Sequence, residues 1–113
     1  MFSCTQPNVP QASVDEVKRS IDAREHFRLL DVRTKGEFLK GRIEGAINLP
    51  LDEVSDRVEA VFPDKSAKIY VYCLSGSRSI YAVEAMVKLG YANTFNVANG
   101  LLAWRIKGYA TST

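Results

Sequence analysis

The sequence has few cysteines, one histidine and little excess of charge of either sign. Its 113 residues include two cysteines, and fifteen basic against thirteen acidic side chains leave a formal charge of +2. Cys4 in a polar segment and Cys73 in an apolar one do not form the framework of a disulfide-rich domain. With His26 they are also too few for a tetrahedral zinc site. The small, interspersed charge indicates no nucleic-acid partner.

Long apolar runs are also missing. No stretch approaches the roughly 18 consecutive apolar residues of a membrane span, so no membrane partner is expected. The residues after Met1 lack the charged region and apolar core of a signal peptide. We therefore expect a cytoplasmic location, with a periplasmic one left open if a signal peptide has been removed. The composition predicts a flexible leader over residues 1–12 and a single globular domain over residues 13–113.

Strand and helix patterns alternate along this domain. Ser13 with Glu16, and Thr34 with Glu37, have the spacing of capping boxes that begin helices. Short apolar runs rich in β-branched and aromatic residues predict strands, and apolar positions three and four apart predict further helices. The strands are predicted at residues 27–32, 46–49, 68–73 and 94–97, and the further helices at 52–62, 80–89 and 101–107. This alternation indicates an α/β fold with a mainly parallel sheet.

The strand predicted at residues 68–73 leads into a loop of small residues. Cys73 ends the strand, and the next six residues read Leu-Ser-Gly-Ser-Arg-Ser before a helical pattern begins. Such a loop lets successive backbone N–H groups turn toward one anion, and the helix N-terminus adds its positive dipole end. This field and the charge of Arg78 would lower a thiol pKa. Cys73 is therefore predicted to be a nucleophile rather than a structural cysteine.

Four short motifs follow one another between Asp31 and Gly108. Residues 31–33 read Asp-Val-Arg, with Glu-Phe at 37–38, and residues 41–50 read Gly-Arg-Ile-Glu-Gly-Ala-Ile-Asn-Leu-Pro. The third motif is the loop after Cys73, and the fourth is Asn-Gly-Leu-Leu-Ala-Trp at 99–104. In this order they resemble the motifs of the rhodanese family of thiosulfate and persulfide sulfurtransferases. The second and fourth family motifs read Gly-His-Ile-x-Gly-Ala-x-Asn-x-Pro and Gly-Gly-x-x-Ala-Trp.

This resemblance implies an α/β, rhodanese-like fold with a mainly parallel five-stranded sheet flanked by helices on both faces. It implies that Cys73 takes a sulfane sulfur from thiosulfate or a persulfide donor, holds it as a persulfide, and passes it to cyanide or a thiol, including a protein thiol. No metal or organic cofactor is implied. The implied substrate-binding residues are Leu74, Ser75, Gly76, Ser77, Arg78 and Ser79. The implied supporting residues are Asp31, Arg33 and Glu37, of which Glu37 is a candidate partner for Arg78 in place of substrate.

The chain departs from the family pattern at three positions. Arg42 replaces the usual histidine, and Asn99 replaces a glycine. Leu74 stands where many thiosulfate-using members have arginine, which leaves the loop one cation fewer for a dianionic donor.

Two other functions stay open on the sequence. One is a persulfide carrier or a non-enzymatic binding module for a partner protein. The other, less favoured, is a cysteine phosphatase or arsenate reductase. Those enzymes use a Cys-x5-Arg loop, whereas only four residues separate Cys73 from Arg78 here. The shorter loop suits a single sulfur better than a tetrahedral phosphate.

Overall fold

The computed structural model describes residues 7–113, and within them strands alternate with helices. The strands are β1 (Gln11–Ala12), β2 (Arg28–Asp31), β3 (Ile47–Asn48), β4 (Ile69–Tyr72) and β5 (Thr94–Val97). The helices are α1 (Val14–Asp22), α2 (Lys35–Lys40), α3 (Val54–Val61), α4 (Ser79–Lys88) and α5 (Gly100–Ile106), with a 3-10 turn at Leu51–Glu53 before α3.

The strands form one sheet in the order β1-β5-β4-β2-β3, and every neighbouring pair is parallel. Strand β4 lies at the centre, between β5 and β2. Parallel neighbours cannot be joined by a tight turn, so longer connections cross the faces of the sheet. The predicted α/β class and five-stranded, mainly parallel sheet are confirmed.

Helices cover both faces because the side chains of the central strand alternate in direction. Val71 packs in one core cluster with residues of α3 and α4. Tyr70 and Tyr72 pack in a second cluster with residues of α1 and α5. All four residues of β4 are buried. The residue that follows this strand therefore starts from a rigid position in the middle of the molecule.

Both predicted capping boxes are confirmed. The Ser13 hydroxyl accepts the Glu16 backbone N–H, and the Glu16 carboxylate accepts the Ser13 N–H, each at 3.1 Å. Thr34 and Glu37 make the same reciprocal pair at the start of α2, at 3.2 and 3.1 Å. The second box holds the Glu37 backbone and carboxylate in place, and this carboxylate also reaches the loop after Cys73.

The last residues of the predicted flexible leader are part of the folded sheet, which corrects that prediction. Gln11 and Ala12 form β1 beside β5. The Pro10 carbonyl accepts the Asn96 N–H at 2.8 Å, and the Ala12 carbonyl accepts the Ala98 N–H at 2.8 Å. Backbone pairing of this kind leaves no hydrophobic pattern, and a two-residue strand is too short to show one. Cys4 and the rest of residues 1–6 lie outside the described residues.

The longest helix in residues 7–113 is α4, with ten residues. Within that part of the chain, none of the helices has the length and apolar character needed to cross a membrane.

Candidate active site

Cys73 lies at the carboxyl end of β4, directly before the loop that leads to α4. Its residue surface is 0% exposed. In open parallel sheets this edge, where strands give way to loops and helix N-termini, is the usual place for a site. The structure thus places the thiol where the sequence predicted it, and under the loop instead of on the surface.

Three hydrogen-bond contacts converge on the Cys73 sulfur. The backbone N–H of Gly76 donates to Sγ at 3.1 Å, and the backbone N–H of Ser79 donates at 3.3 Å. The Ser79 hydroxyl oxygen also lies 3.3 Å from Sγ. Ser79 is the first residue of α4, so its N–H is an otherwise unpaired donor at the positive end of that helix. The loop thus brings two backbone donors and one hydroxyl to the sulfur.

These contacts decide the ionisation of the thiol. Burial by itself raises the pKa of Cys73, because a thiolate loses solvation there. The Ser79 hydroxyl, the N–H groups of Ser79 and Gly76, and the nearby N–H of Arg78 act in the opposite direction and outweigh it. The net result is a Cys73 pKa below the ordinary value of a cysteine thiol. The site therefore favours the nucleophilic form.

Helix α5 holds the start of the loop through backbone hydrogen bonds. The N–H groups of Leu101 and Leu102 donate to the carbonyl oxygens of Cys73 and Leu74, each at 2.9 Å. Gly100 has φ +46°, and a Cβ there would overlap the Cys73 carbonyl oxygen. Asn99 has φ +61°, a left-handed conformation that asparagine tolerates better than most residues. The Asn-Gly pair of the fourth motif therefore allows this close approach.

Gly76 has a comparable role on the other side of the loop. Its φ is +96°, and a Cβ would lie 3.0 Å from the backbone nitrogen of Asn99. The left-handed conformation turns the Gly76 N–H toward Sγ, and the missing side chain lets the loop rest on the turn between β5 and α5.

Arg78 pairs with Glu37. Its guanidinium donates to both carboxylate oxygens, at 2.7 and 3.0 Å. The hydrogen bond from Arg78, followed by those from Thr34, lowers the pKa of Glu37 to about 2. Sequence reasoning left open whether Arg78 meets a carboxylate or substrate, and assigned its charge a part in activating Cys73. In the structure that charge is matched by Glu37, and hydrogen bonds at the sulfur are the larger causes of the lowered thiol pKa.

Residues 13–107 match the family model described as Rhodanese-like domain. The chain belongs to the rhodanese-like domain family. The resemblance noted in the sequence is thereby confirmed over most of the chain.

Individual relatives agree with this assignment. The rhodanese-like chain is 39% identical over 79 residues to "Thiosulfate sulfurtransferase PspE" of Escherichia coli, covering 70% of this chain and 73% of PspE. It is 34% identical over 97 residues to "Putative sulfur carrier protein YrkF" of Bacillus subtilis, covering 86% of this chain and 51% of YrkF. This chain therefore spans only about half of YrkF.

Solved structures share the fold. Human single-domain sulfurtransferase TSTD1 superposes with a TM-score of 0.78 at 27% identity, covering 88% of this chain and 98% of TSTD1. A thiosulfate sulfurtransferase from Pseudomonas aeruginosa gives a TM-score of 0.84 at 28% identity. That match covers 92% of this chain but 20% of the Pseudomonas chain.

Asp31 and Arg33 form a buried ion pair in the rhodanese-like domain. Arg33 Nη2 lies 2.7 Å from Asp31 Oδ2 and also donates to the Gly41 carbonyl at 2.6 Å. Asn48 Nδ2 donates to the carbonyl oxygens of Asp31 and Arg33 at 3.0 and 2.9 Å. The first two motifs are thus tied together beside the site. Among the described residues, Arg33 donates to Asp31 and to the Gly41 carbonyl, and neither side chain of the pair forms a hydrogen bond with Cys73.

The other loop residues differ in exposure. Ser75 and Ser77 are exposed, and their hydroxyls lie 3.1 Å apart. Leu74 is partly buried and packs against the core cluster on the α5 side of the sheet.

An open cavity of about 310 Å³ lies beside this loop. Its lining consists of uncharged residues: Gln11, Ser75, Gly76, Ser77, Ile80, Asn96, Ala98 and Asn99. Amide and hydroxyl groups thus face the space next to the loop, where Leu74 and the paired Arg78 supply no free cation.

Sequence reasoning missed two residues of the site. Asn96 accepts a hydrogen bond from the Ser79 hydroxyl at 2.5 Å, and its own amide donates to the Gln11 side-chain oxygen at 2.9 Å. Asn96 is 3% exposed within β5, and a polar residue amid a buried apolar strand is a signal that could have identified it. Gln11 carries no such signal, because it falls in the segment predicted as a leader.

Proposed function

We propose that this rhodanese-like domain is a sulfurtransferase that carries a sulfane sulfur on Cys73. The observation that carries the proposal is the environment of Cys73 Sγ, where two backbone N–H groups and a hydroxyl converge on a thiol with a lowered pKa. Nucleophilic sulfur chemistry needs the thiolate, and the same donors suit a persulfide anion. The named sulfurtransferases among the relatives support this function.

The reaction balances without a cofactor. The Cys73 thiolate attacks the outer sulfur of thiosulfate, the sulfur–sulfur bond of the donor breaks, and sulfite leaves with the electron pair. An acceptor, either cyanide or a thiolate, then attacks the outer sulfur of the Cys73 persulfide. The enzyme thiolate leaves with its electron pair, and thiocyanate or a new persulfide is released. With a persulfide donor the leaving group is a thiolate instead of sulfite.

The surroundings of the loop bear on the donor. A dianion such as thiosulfate gains most from free cations, but Arg78 is paired with Glu37 and position 74 is a leucine. The cavity beside the loop is lined by amides and hydroxyls. These features favour a donor of low charge, such as a thiol-based persulfide, over thiosulfate.

A persulfide carrier that serves a partner protein is the second candidate. The burial of the Cys73 thiol favours it, since a partner that opens the loop would control access to the sulfur. The name of the YrkF relative points in the same direction.

Intact mass spectrometry tests the proposal. Protein incubated without reductant, with thiosulfate or with a small-molecule persulfide, is expected to gain one sulfur atom at Cys73, and the Cys73→Ser variant is expected to gain none. Turnover with cyanide or a small thiol then separates the enzyme from the carrier. Folded wild-type protein that acquires no sulfur from either donor would overturn the proposed sulfurtransferase.

A further inference from the structure

A chain of side-chain contacts leads from the Cys73 sulfur to the edge of the sheet. Ser79 Oγ lies 3.3 Å from Sγ and 2.5 Å from Asn96 Oδ1, and Asn96 Nδ2 lies 2.9 Å from Gln11 Oε1. Ser79 is 0% exposed and Asn96 is 3% exposed. Water therefore has little access to Ser79 and Asn96, and their polar groups must form hydrogen bonds with protein atoms.

The contact between Ser79 and Asn96 runs from the hydroxyl to the amide oxygen. A separation of 2.5 Å is that of an O–H···O bond and is shorter than N–H···O bonds usually are. Asn96 thus turns its carbonyl oxygen toward Ser79, and its NH₂ group toward the Gln11 oxygen. An amide oxygen only accepts, so the hydroxyl proton of Ser79 is directed at Asn96.

This leaves one proton for two acceptors. A serine hydroxyl has a single hydrogen, and with that hydrogen on Asn96 the Ser79 oxygen presents lone pairs to Cys73. A neutral thiol satisfies this arrangement by donating its S–H to Ser79 Oγ. A thiolate cannot donate, and it requires the hydroxyl hydrogen for itself.

We propose that Asn96 is a positioning residue that competes with the Cys73 sulfur for the single proton of Ser79, so that the hydroxyl turns from Asn96 to the sulfur when the thiol ionises. Gln11 supports the competition by holding the Asn96 amide in the orientation that accepts. This inference deepens the proposed function, because it concerns the state of the nucleophile that function uses.

Among the described residues, the charged groups beside the loop form ion pairs. Arg78, on the loop itself, binds Glu37 from α2, and Asp31 and Arg33 at the end of β2 bind each other. Glu37 stays ionised well below neutral pH, because its pKa is about 2. Strand β5 has no charged side chain, and the buried residues of α5 are Gly100, Leu101 and Trp104. A change in thiol ionisation on altering Asn96 therefore reports on the Ser79 proton.

The test is a spectroscopic titration of the thiolate in a Cys4→Ser background, which leaves Cys73 as the one thiol of the chain. Asn96→Leu removes the competing acceptor and keeps a similar side-chain volume. The midpoint of the Cys73 titration is expected to fall by about one pH unit in this variant. Thr94→Val is the matched control. Thr94 is also buried and lies two residues away on the same face of β5, and its midpoint should match wild type.

A second pair of variants links the effect to Ser79. In a Ser79→Ala background, Asn96→Leu is expected to leave the midpoint unchanged, since there is no proton left to compete for. Gln11→Leu, at an exposed position, frees the Asn96 amide to turn and is expected to lower the midpoint partway, even if Asn96→Leu folds poorly.

Several results would overturn the inference. A raised midpoint in Asn96→Leu would show that the amide donates to Ser79, and an equal fall in the Ser79→Ala background would show that Ser79 is not involved. An unchanged midpoint in both Asn96→Leu and Gln11→Leu would show that no competition exists. The titration involves no sulfur donor, so these results are separate from failure of the mass experiment.

Discussion

At the scale of single residues, the environment of Cys73 is built for an anion in a buried place. The two backbone donors, from Gly76 and Ser79, are fixed by the loop and need no rearrangement when charge appears on the sulfur. Burial opposes that charge, but the donors outweigh it. The same donors can bind an oxygen in place of sulfur, which makes serine an informative substitution.

The substitution Cys73→Ser is expected to abolish sulfur transfer and to change the free energy of unfolding by no more than about 1 kcal/mol. The serine oxygen can accept the N–H groups of Gly76 and Ser79, but it cannot form a persulfide. Turnover of thiosulfate and of a persulfide donor, together with urea unfolding, measures both effects. Retained turnover in the folded variant would rule out Cys73 as the sulfur-carrying atom.

Leu74 offers a second test at the residue level. A cation ~5 Å from a dianion at a partly exposed rim contributes on the order of 1 kcal/mol after screening, or about fivefold in rate. Leu74→Arg is therefore expected to raise kcat/KM for thiosulfate about fivefold at low salt, with less gain at high salt and for a persulfide donor of low charge.

The control must account for packing, because Leu74 contacts the core cluster beside α5. Leu74→Met keeps an apolar side chain of similar volume without adding charge, and should leave kcat/KM near wild type. Equal rates for Leu74→Arg and Leu74→Met at low salt would mean that this side chain does not face the donor.

At the scale of secondary-structure elements, the loop after Cys73 is held by its neighbours rather than by its own residues. Helix α5 donates to the carbonyl oxygens of Cys73 and Leu74, and α4 donates from its first residue to the sulfur. The approach of α5 depends on Gly100, whose φ is +46° and whose Cβ would overlap the Cys73 carbonyl. The contact between α5 and the loop is thus the place where a methyl group should matter most.

Gly100→Ala is expected to destabilise the protein by on the order of 3 kcal/mol, from the left-handed strain and the overlap together. Gly36→Ala is the matched control, since that glycine lies within α2 with no atom within 4 Å of an added Cβ. It should gain about 0.5–1 kcal/mol. Urea unfolding of both variants provides the comparison, and equal midpoints would contradict the proposed role of Gly100.

The sequence patterns predicted the elements with strong local signals. The capping boxes at Ser13 and Thr34 and the buried run from Ile69 to Tyr72 are encoded within a few neighbouring residues, and all three are present. Strand β1 was missed because its stability comes from backbone bonds to β5, 85 positions away along the chain at Gln11 and Asn96. The Ser79–Asn96 contact was missed because only the folded sheet brings these two side chains together.

At the scale of the whole molecule, the Arg78–Glu37 pair joins the loop before α4 to α2, across 41 positions of sequence. Both side chains are about a third exposed, so solvent screens the pair and its contribution to stability is modest, about 1 kcal/mol. The contact nevertheless connects the second capping box to the loop around Cys73, because Glu37 belongs to both. Loss of the carboxylate charge would weaken both contacts at once.

The pH dependence of unfolding follows from this pair. The pKa of Glu37 is lowered from 4.5 to about 2, first by its hydrogen bond from Arg78 and further by its bonds from Thr34. A lowered carboxyl pKa in the folded state stabilises the protein above the unfolded-state value, and the stabilisation is lost as the pH falls from about 4.5 toward 2.

Near neutral pH, the free energy of unfolding of wild type is therefore expected to exceed that of Glu37→Gln by about 1 kcal/mol. The two values should converge as the pH falls from about 4.5 toward 2. Urea unfolding at a series of pH values measures the difference. Arg78→Gln as the background provides the control, because there the wild-type carboxylate keeps only its bonds to Thr34 and the difference should shrink. A difference that persists undiminished at low pH, or that is unaffected by Arg78→Gln, would mean that the ion pair does not contribute to the stability of the folded molecule.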